Sequence, residues 1–330
     1  MNYVLGLGFL NLLIALMVTK GLVPYLIEFG TRFNLIDQPE ERKQHNVKMV
    51  RIGGISIFAG FLVSQLFNLV VFNSIEFLNL GLSANKLVLI FGILFFFLIG
   101  LFDDLLSLSP YLRLFLQTIG MTIVWVNGFS INALDISFLN LNSDVYILPS
   151  LISYVITFLW LLGITNSINW IDGLDGLSTG IALINFLGIS FISFSLERSS
   201  IFYLSLSLAG CCIGFLFYNF PPSKIHMGDS GSYLIGFSLA CLSLLTFSDI
   251  NNEVSNSLVY LQKSVLLVLI PILDMFIVIF LRLKNGKSPF FPDRLHLHFR
   301  LLDKIKNLKK TVFTIYGLVF FTTIIAIFLK

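Results

Sequence analysis

Most residues of this chain that can do acid–base, metal or phosphate chemistry stand in short runs between long apolar stretches. The clustered aspartates are Asp103, Asp104, Asp172, Asp175, Asp229 and Asp293, and the histidines are His45, His226, His296 and His298. Carboxylates bind divalent cations or accept protons, whereas Arg and His donate hydrogen bonds to phosphate oxygens. If these runs share one side of a membrane, they predict an enzyme with a single active face.

The run with the most specific pattern covers residues 166–176 and reads Asn-Ser-Ile-Asn-Trp-Ile-Asp-Gly-Leu-Asp-Gly. Asn166, Asn169 and Asp172 recur every three residues, so near a helix end they project from one face. The glycines in this run permit tight turns and the close approach of a ligand. An Asx-rich turn that caps the next helix is the alternative explanation.

Two further runs place acids at helix ends. Asp103 and Asp104 close the third apolar stretch. They are either a solvated helix end or the border of a cleft that binds a cation or accepts a proton. Asp229, in the run His-Met-Gly-Asp-Ser-Gly-Ser, begins the eighth stretch. It either caps that helix or binds a metal ion, with a phosphate resting on the helix N-terminus.

Two runs are rich in cations. The first contains Arg42, Lys43 and His45, and the second contains Arg294, His296, His298 and Arg300. Cations beside membrane spans are expected in cytoplasmic loops without any further reason, but that rule does not account for the histidines. A zinc site is disfavoured because the His-x-His pattern has no Cys or further His nearby. A strip that binds phosphate or diphosphate fits both runs.

The composition predicts a membrane protein. Of the 330 residues, 56% are hydrophobic and 12% are charged, and the mean hydropathy is +0.91, whereas soluble domains have about 25% charged residues. A net charge of +3 is too small to indicate a nucleic acid as a partner. The cysteines, Cys211, Cys212 and Cys241, lie inside apolar stretches and are expected to be small core residues. Residues 1–330 are expected to form a single polytopic domain.

Ten apolar stretches have the length, about 17–25 residues, that crosses a bilayer as a helix. They cover residues 3–19, 53–73, 86–102, 112–128, 148–165, 177–196, 200–218, 231–248, 259–283 and 311–329. One set of loops holds 17 of the 21 basic residues, so we expect both termini outside and the active site in cytoplasmic loops. The first stretch, followed by Lys20, is expected to be a permanent helix rather than a signal peptide. Residues 134–138, in an outward loop, predict a small hairpin.

One acid departs from the loop pattern. Asp274 lies inside the ninth stretch, three residues after Pro271. Because proline removes a helix hydrogen bond, Asp274 is expected to satisfy freed backbone groups or to orient the loop that follows.

These runs, in this order, resemble a known family. Gly-Leu-Phe-Asp-Asp, Asn-Ser-Ile-Asn-Trp-Ile-Asp-Gly-Leu-Asp-Gly-Leu, His-Met-Gly-Asp-Ser-Gly-Ser and Asp-Arg-Leu-His-Leu-His are similar to the motifs of the polyprenyl-phosphate N-acetylhexosamine-1-phosphate transferases. The phospho-MurNAc-pentapeptide translocase is a more distant relative. The resemblance covers about residues 35–305.

The resemblance implies a reaction at the cytoplasmic (inner) membrane. The phosphate of undecaprenyl phosphate attacks the sugar-linked phosphorus of a UDP-sugar, UMP leaves, and a lipid diphospho-sugar initiates a cell-envelope glycan. GlcNAc-1-phosphate is the favoured group, and a related HexNAc or MurNAc-pentapeptide donor is the alternative. Mg²⁺ is the implied cofactor, with Mn²⁺ as a substitute. Such phosphoryl transfer depends mostly on positioning and on neutralising charge.

Carried over by motif, four acids do the catalytic work: Asp103, Asp104, Asp172 and Asp229. Asp229 is the implied metal ligand, with Asp172 as a second. The implied substrate-binding residues are Arg42, Lys43, His45, Asn166, Asn169, Asp175, Asn219, His226, Arg294, His296, His298 and Arg300.

The sequence departs from the family pattern in two segments. Phe299 stands where the family has a further histidine, and Lys48 and Val50 stand where prolines are common. A lipid-binding scaffold without activity is one alternative that Phe299 leaves open. A transporter of an anionic solute is the other, and it is disfavoured because transporters place ionisable groups near the bilayer midplane.

Overall fold

A computed structural model of the protein describes residues 2–37, 49–71, 83–135, 145–247, 263–291 and 293–329, and most of these residues are helical. The helices are α1 (Asn2–Arg32), α2 (Gly54–Val71), α3 (Ser83–Leu106), α4 (Pro110–Val126), α5 (Ser150–Ile171), α6 (Leu177–Ser195), α7 (Ser199–Asn219), α8 (Gly228–Phe247), α9 (Leu269–Lys284), α10 (Leu297–Ile305) and α11 (Leu308–Phe328). Two short antiparallel pairs join β1 (Ile36–Asp37) to β2 (Met49–Val50) and β3 (Ala133–Asp135) to β4 (Val145–Ile147).

Seven of these helices are long and apolar enough to cross a membrane, namely α1, α2, α3, α5, α6, α7 and α11. The chain is therefore an all-α, multi-pass membrane protein. Three of the ten predicted spans fall on α4, α8 and α9, which are not among the seven. Ten spans, with both termini outside, stay a prediction. Residues 134 and 135 of the expected hairpin lie in β3, which pairs with β4, and residues 136–138 lie outside the described residues.

The predicted end of the first span was wrong. Lys20 was placed in a loop, but α1 continues through it to Arg32. The residues that follow Lys20 are again mostly apolar, and they extend the helix past the charge and past Pro24. The ammonium group of Lys20 lies 4.0 Å from the centre of the Phe217 ring in α7, where a cation–π contact stabilises it.

The centre of the bundle is formed by α7 and α8. Helices α1, α2 and α6 pack on α7, and α3, α5, α2 and α6 pack on α8. Side chains such as Phe215 and Phe237 are wholly buried there, while Phe9, Phe280 and Phe321 are exposed on outer helices. Apolar side chains that face outward are typical of a lipid-exposed surface.

Several helix termini meet at one end of the bundle. The last turn of α3 contacts the first turn of α8 through Asp104, and the end of α5 contacts the same turn through Asn169. The segments before α2 and before α8 are joined by backbone hydrogen bonds from Gly53 to His226 and from His226 to Val50. This end of the bundle gathers most of the polar runs of the sequence.

Candidate active site

The acidic centre consists of four carboxylates and two guanidinium groups, from Asp103, Asp104, Asp172, Asp229, Arg51 and Arg113. These residues come from the ends of α3 and α5, the beginnings of α4 and α8, and the segment before α2. The four acids were predicted at the site from their motifs. Arg51 and Arg113 were counted among the loop cations and were not predicted as site residues.

Asp229 lies in the first turn of α8 and makes the most varied polar contacts of the acidic centre. Its Oδ2 accepts a hydrogen bond from Nη2 of Arg51 at 2.7 Å, and its Oδ1 accepts one from Nδ2 of Asn169 at 2.6 Å. Nη1 of Arg113 lies 3.9 Å from the same Oδ2. The Asp229 side chain is 14% exposed, so it remains within reach of a ligand.

The side chain of Asp104 forms hydrogen bonds with the N-terminus of α8. Its Oδ1 and Oδ2 accept hydrogen bonds from the backbone N–H groups of Asp229, at 2.8 Å, and Ser230, at 2.9 Å. Its Oδ1 also lies 3.1 Å from Nε of Arg51, and its side chain is wholly buried. A carboxylate is favourable there because the first turn of a helix has free N–H groups and a partial positive charge.

The contact between α3 and α8 requires glycine at one position. A Cβ atom at Gly100, one turn before Asp104, would lie 2.2 Å from the carbonyl oxygen of Asp229. Any other residue would therefore push the end of α3 away from α8, and the hydrogen bonds of Asp104 would lengthen.

Asp103 points to the other guanidinium group. Its Oδ2 accepts a hydrogen bond from Nη1 of Arg113 at 2.6 Å, and its Oδ1 accepts one from the backbone of Leu108 at 2.8 Å. Its negative charge also interacts with that of Asp229. The adjacent acids Asp103 and Asp104 thus have different partners, although the sequence places them side by side.

Asp172 follows the last residue of α5. Its Oδ1 accepts a hydrogen bond from the hydroxyl group of Ser178. Burial raises the pKa of Asp172 to about 7, and the negative charge of Asp229 contributes to the same shift. Asp172 and Asp229 are therefore close enough for their charges to interact.

The acidic centre fits a divalent cation. The four carboxyl groups outnumber the two guanidinium groups, so the centre holds fewer protein cations than are needed to neutralise its acids once all four are ionised. Carboxylate oxygens are the ligands that Mg²⁺ and Mn²⁺ prefer. Both oxygens of Asp104 are occupied by the α8 backbone, whereas Asp172 and Asp229 are partly accessible. These two are the acids best placed to hold a metal ion.

Of the asparagines in the run 166–176, one reaches the acidic centre. Asn169 donates hydrogen bonds to Asp229 and to the hydroxyl group of Ser232, the latter at 2.8 Å. Asn166 lies one turn earlier and donates to Oε1 of Gln117 in α4, at 3.0 Å. The three-residue spacing correctly placed both amides near one helix end, but only Asn169 contacts an acid.

Asp175 and Asn219 join two loops. Asp175 accepts hydrogen bonds from the backbone and the hydroxyl group of Ser223, at 3.0 and 2.8 Å. Asn219 accepts one from Thr179 at 3.0 Å and donates one to the carbonyl oxygen of Ile225 at 2.9 Å. These contacts fix the loop between α7 and α8 against the beginning of α6. The backbone of half-buried His226 then positions the strand that precedes Arg51.

A second group of charged residues, which we call the histidine cluster, consists of Asp274, Arg282, Asp293, His296 and His298. Arg282 donates to both oxygens of Asp293, at 2.8 and 3.1 Å. Burial alone would raise the pKa of Asp293, but the hydrogen bonds from Arg282 hold it below its ordinary value. The guanidinium group also lies 5.1 Å from the Trp170 ring, next to Asn169 in sequence.

The two histidines of the cluster are buried. Nδ1 of His296 lies 2.8 Å from Oδ2 of Asp274. His298 is wholly buried, and neither ring nitrogen has a hydrogen-bond partner among the described residues. Burial lowers the pKa of His298 to about 3, so the ring is neutral at physiological pH. A Cβ atom at Gly173 would lie 2.3 Å from Nε2 of His298, so this ring packs directly on the loop that carries Asp172.

The arginines around these histidines lie at the surface. Arg294 pairs with exposed Asp303 at 3.2 Å and stacks 5.1 Å from the centre of the Phe299 ring. Arg300 is exposed. The remaining predicted substrate-binding residues, Arg42, Lys43 and His45, lie outside the described residues.

The ligand atoms of Asp274, His296 and His298 lie within 4.8 Å of one another, a spacing that could hold a metal ion. Two contacts argue against one. Both oxygens of Asp274 already accept hydrogen bonds, from His296 and from the backbone of Leu297. The second ring nitrogen of His296 faces the Arg282 guanidinium group at 3.4 Å, and this positive charge repels a cation.

The helical bundle and the acidic centre define a class: a membrane-embedded enzyme whose charged site lies at one end of its helices. Residues 86–247 match the model of the Glycosyl transferase family 4. The chain is 31% identical over 319 residues to the probable undecaprenyl-phosphate N-acetylglucosaminyl 1-phosphate transferase of Bacillus subtilis, an alignment that covers 96% of this chain and 84% of that protein.

Two further relatives show the breadth of the family. The decaprenyl-phosphate N-acetylglucosaminephosphotransferase of Mycobacterium leprae is 33% identical over 309 residues, with 87% of this chain and 75% of that protein covered. The phospho-N-acetylmuramoyl-pentapeptide-transferase of Prochlorococcus marinus is 29% identical over 313 residues, with 90% and 82% covered. The chain belongs to this family of polyprenyl-phosphate sugar-1-phosphate transferases, and the resemblance seen in its motifs is confirmed.

Proposed function

We propose that this enzyme transfers GlcNAc-1-phosphate from UDP-GlcNAc to undecaprenyl phosphate, with Mg²⁺, at the cytoplasmic face of the inner membrane. The observation that carries the proposal is the acidic centre, whose four carboxylates outnumber its two guanidinium groups at one end of the bundle. The name of the Bacillus relative supports the acceptor lipid and the GlcNAc donor. An oxygen of the lipid phosphate attacks the phosphorus that carries the sugar and forms a new P–O bond. The P–O bond between that phosphorus and the bridging oxygen of the UDP diphosphate breaks, and the bridging oxygen leaves as part of UMP.

The acids of the acidic centre have different roles. Asp229 and Asp172 would hold the metal ion, which would supply positive charge to neutralise the diphosphate. Asp104 keeps the first turn of α8, and with it Asp229, at a fixed distance from α3. Asn169 orients the Asp229 carboxylate through its hydrogen bond at 2.6 Å.

Asp103 and Arg113 position the lipid phosphate. Arg113 is 27% exposed, and the neighbouring α4 side chains Tyr111, Leu112 and Phe115 are exposed apolar groups. A polyprenyl chain lying along this face brings its phosphate to a guanidinium group, which offers paired donors to phosphate oxygens. A phosphate monoester is already largely ionised near neutral pH, so Asp103 acts mainly by orienting Arg113 rather than as a base.

The nucleotide and the sugar bind to the polar loops at the same end of the bundle as the acidic centre. Asn166, Asp175, Asn219 and His226 form the nucleotide side, where Asp175 and Asn219 act through the loops they join. Arg294 and Arg300 supply surface charge for the diphosphate, together with Arg42, Lys43 and His45. His296 and His298 act indirectly, by supporting the residues around them, because both rings are buried.

The test is release of UMP by the purified protein in lipid nanodiscs with undecaprenyl phosphate. UDP-GlcNAc, UDP-GalNAc and UDP-MurNAc-pentapeptide are compared, each with and without Mg²⁺ and lipid phosphate. We expect release with UDP-GlcNAc that requires both. Release with the pentapeptide donor alone would replace the proposed donor, and release without lipid phosphate would contradict the transfer to lipid. Glu197→Gln, an exposed acid-to-amide change in the turn between α6 and α7, is the matched control.

A further inference from the structure

His296 is held between two charged groups that together determine where its proton lies. Nδ1 is 2.8 Å from Oδ2 of Asp274, and Nε2 is 3.4 Å from Nη2 of Arg282. A guanidinium group has donors only, so the nitrogen that faces it must accept. A carboxylate accepts, so the nitrogen that faces it must donate. Only the tautomer with its proton on Nδ1 satisfies both contacts.

Asp274 does more than fix this tautomer. Its Oδ1 accepts a hydrogen bond from the backbone N–H of Leu297, the first residue of α10, at 2.6 Å. The carboxylate is 5% exposed, so water does not compete for it. An amide at this position has one acceptor and one donor group, so it cannot accept from both His296 and Leu297.

The His296 ring is connected by side-chain packing to the loop of the acidic centre. It lies edge-on to Trp170, with ring centres 6.0 Å apart, and is stacked on His298 at 5.4 Å. His298 in turn packs on Gly173. Trp170 and Gly173 flank Asp172, which we placed at the metal ion. A rotation of the His296 ring therefore displaces groups on both sides of Asp172.

We propose that Asp274 is a positioning residue for the transfer reaction: it fixes His296 in the Nδ1-protonated tautomer and thereby holds the loop that carries Asp172. The effect on turnover rests on the proposed function, whereas the tautomer does not. Asp274 reaches no reacting atom, since its two oxygens are engaged by His296 and Leu297. The sequence placed it in a supporting role, and the contact with His296 identifies what it supports.

The direct test is nitrogen NMR of the full-length protein labelled with ¹⁵N-histidine. The chain has four histidines, and a His296→Gln variant identifies the signals of His296. We expect a protonated Nδ1 and an unprotonated Nε2 for His296 in the unaltered protein. In Asp274→Asn, whose amide can donate to Nδ1, we expect the proton on Nε2 or a mixture of the two tautomers. A proton on Nε2 in the unaltered protein overturns the proposal, whether or not the variant folds.

The kinetic test compares Asp274→Asn with Glu197→Gln, an exposed acid-to-amide change in the turn between α6 and α7. Carboxylate groups that orient metal-bound imidazoles matter by about 10–100-fold, and we take the same range for a carboxylate that orients His296. We expect kcat of Asp274→Asn to fall by that factor, with a smaller change in the KM for the UDP-sugar, while Glu197→Gln keeps the kcat of the unaltered protein. An unchanged kcat in folded Asp274→Asn overturns the positioning role. Absence of turnover in the unaltered protein contradicts the proposed function and leaves the NMR result to decide the tautomer.

Discussion

The acidic centre and the histidine cluster are both built from aspartates and arginines near the same end of the bundle, yet they differ in charge and access. The acidic centre has four carboxylates for two guanidinium groups, and its Arg51 and Arg113 side chains are 33% and 27% exposed. In the histidine cluster, Arg282 is 5% exposed and is matched by Asp293, and both Asp274 oxygens accept hydrogen bonds. The acidic centre, with its excess of partly accessible negative charge, is suited to bind ions and substrates. The histidine cluster, whose charges are matched and buried, is suited to support the acidic centre.

Removing the charge of Asp229 should have the largest effect. Asp229→Asn keeps the size of the side chain but loses a metal ligand and the counter-ion of Arg51. We expect UMP release to fall on the order of 10³-fold, comparable to the loss of a strong transition-state electrostatic contact. The variant should keep its thermal stability in detergent. Glu197→Gln, in the exposed turn between α6 and α7, serves as the control, and near-normal turnover of Asp229→Asn would show that the acidic centre is not where transfer occurs.

Replacing Arg51 by lysine separates charge from geometry. The guanidinium group contacts Asp104 through Nε and Asp229 through Nη2 at the same time. An ammonium group keeps the positive charge but cannot reproduce this forked contact, so we expect turnover to fall about 10-fold or more. Lys224→Arg, at a loop lysine outside both clusters, is the control. If Arg51→Lys is as active as the unaltered protein, Arg51 contributes charge alone.

The pH dependence should report Asp172. Burial raises its pKa from 3.8 to about 7, so it is neutral below pH 7 and ionised above. At limiting Mg²⁺, kcat/KM should rise as the pH increases through about 7, and a higher Mg²⁺ concentration should move this rise to lower pH. Asp172→Asn should abolish the rise.

The same pKa shift makes a stability prediction of opposite sign. The folded protein retains a proton on Asp172 that the unfolded chain loses above pH 3.8. The contribution of Asp172 to the free energy of unfolding therefore decreases as the pH rises from about 4 to about 7. Melting temperatures of Asp172→Asn and the unaltered protein should diverge across that range, in favour of the variant at the higher pH. Parallel curves would contradict a buried, neutral Asp172.

Restoring the family histidine at Phe299 should change turnover least. Phe299 is buried beneath Arg294, its ring centre 4.2 Å from that of His298. A polar ring there loses apolar packing, so Phe299→His should lower the free energy of unfolding by about 1–3 kcal/mol. Turnover per folded molecule should stay within about twofold, because the ring of Phe299 packs on His298 and Arg294 and not on the acidic centre. A large gain in turnover would instead place residue 299 at the substrate.

The sequence predicted the membrane class and the acids of the site, since hydropathy and short motifs are local properties. It did not identify Arg51 and Arg113 as site residues, and the partner of Arg51, Asp229, is 178 residues away. The sequence could not distinguish the adjacent acids Asp103 and Asp104. Only the packing of α3 on α8 shows that Asp104 binds the N-terminus of α8 and that Asp103 binds Arg113. Lys20 was predicted to lie in a loop because a charged residue next to an apolar stretch usually marks the end of a membrane span. Its contact with Phe217, which stabilises it inside α1, is not visible in the sequence.

The support role of Asp274 was predicted from Pro271, but its partner was not. His296 lies 22 residues later, beyond the end of α9, and its ring turns inward to reach the carboxylate. The motif predicted that both histidines touch substrate, and their burial favours an indirect role. Burial of a polar ring depends on the helices around it, which no short motif encodes.

The hydrogen bonds between Asp104 and the first turn of α8 have a consequence for biosynthesis. The N–H groups that bind Asp104 are made 125 residues after it, so α3 is synthesised long before this anion has its final partners. Arg51 precedes Asp104 in the chain and pairs with it at 3.1 Å. During membrane insertion, this arginine is the counter-ion within the acidic centre that is already available to Asp104. The centre is thus completed only when α8 has been synthesised, so a nascent chain truncated before α8 carries three of the four acids without their final arrangement.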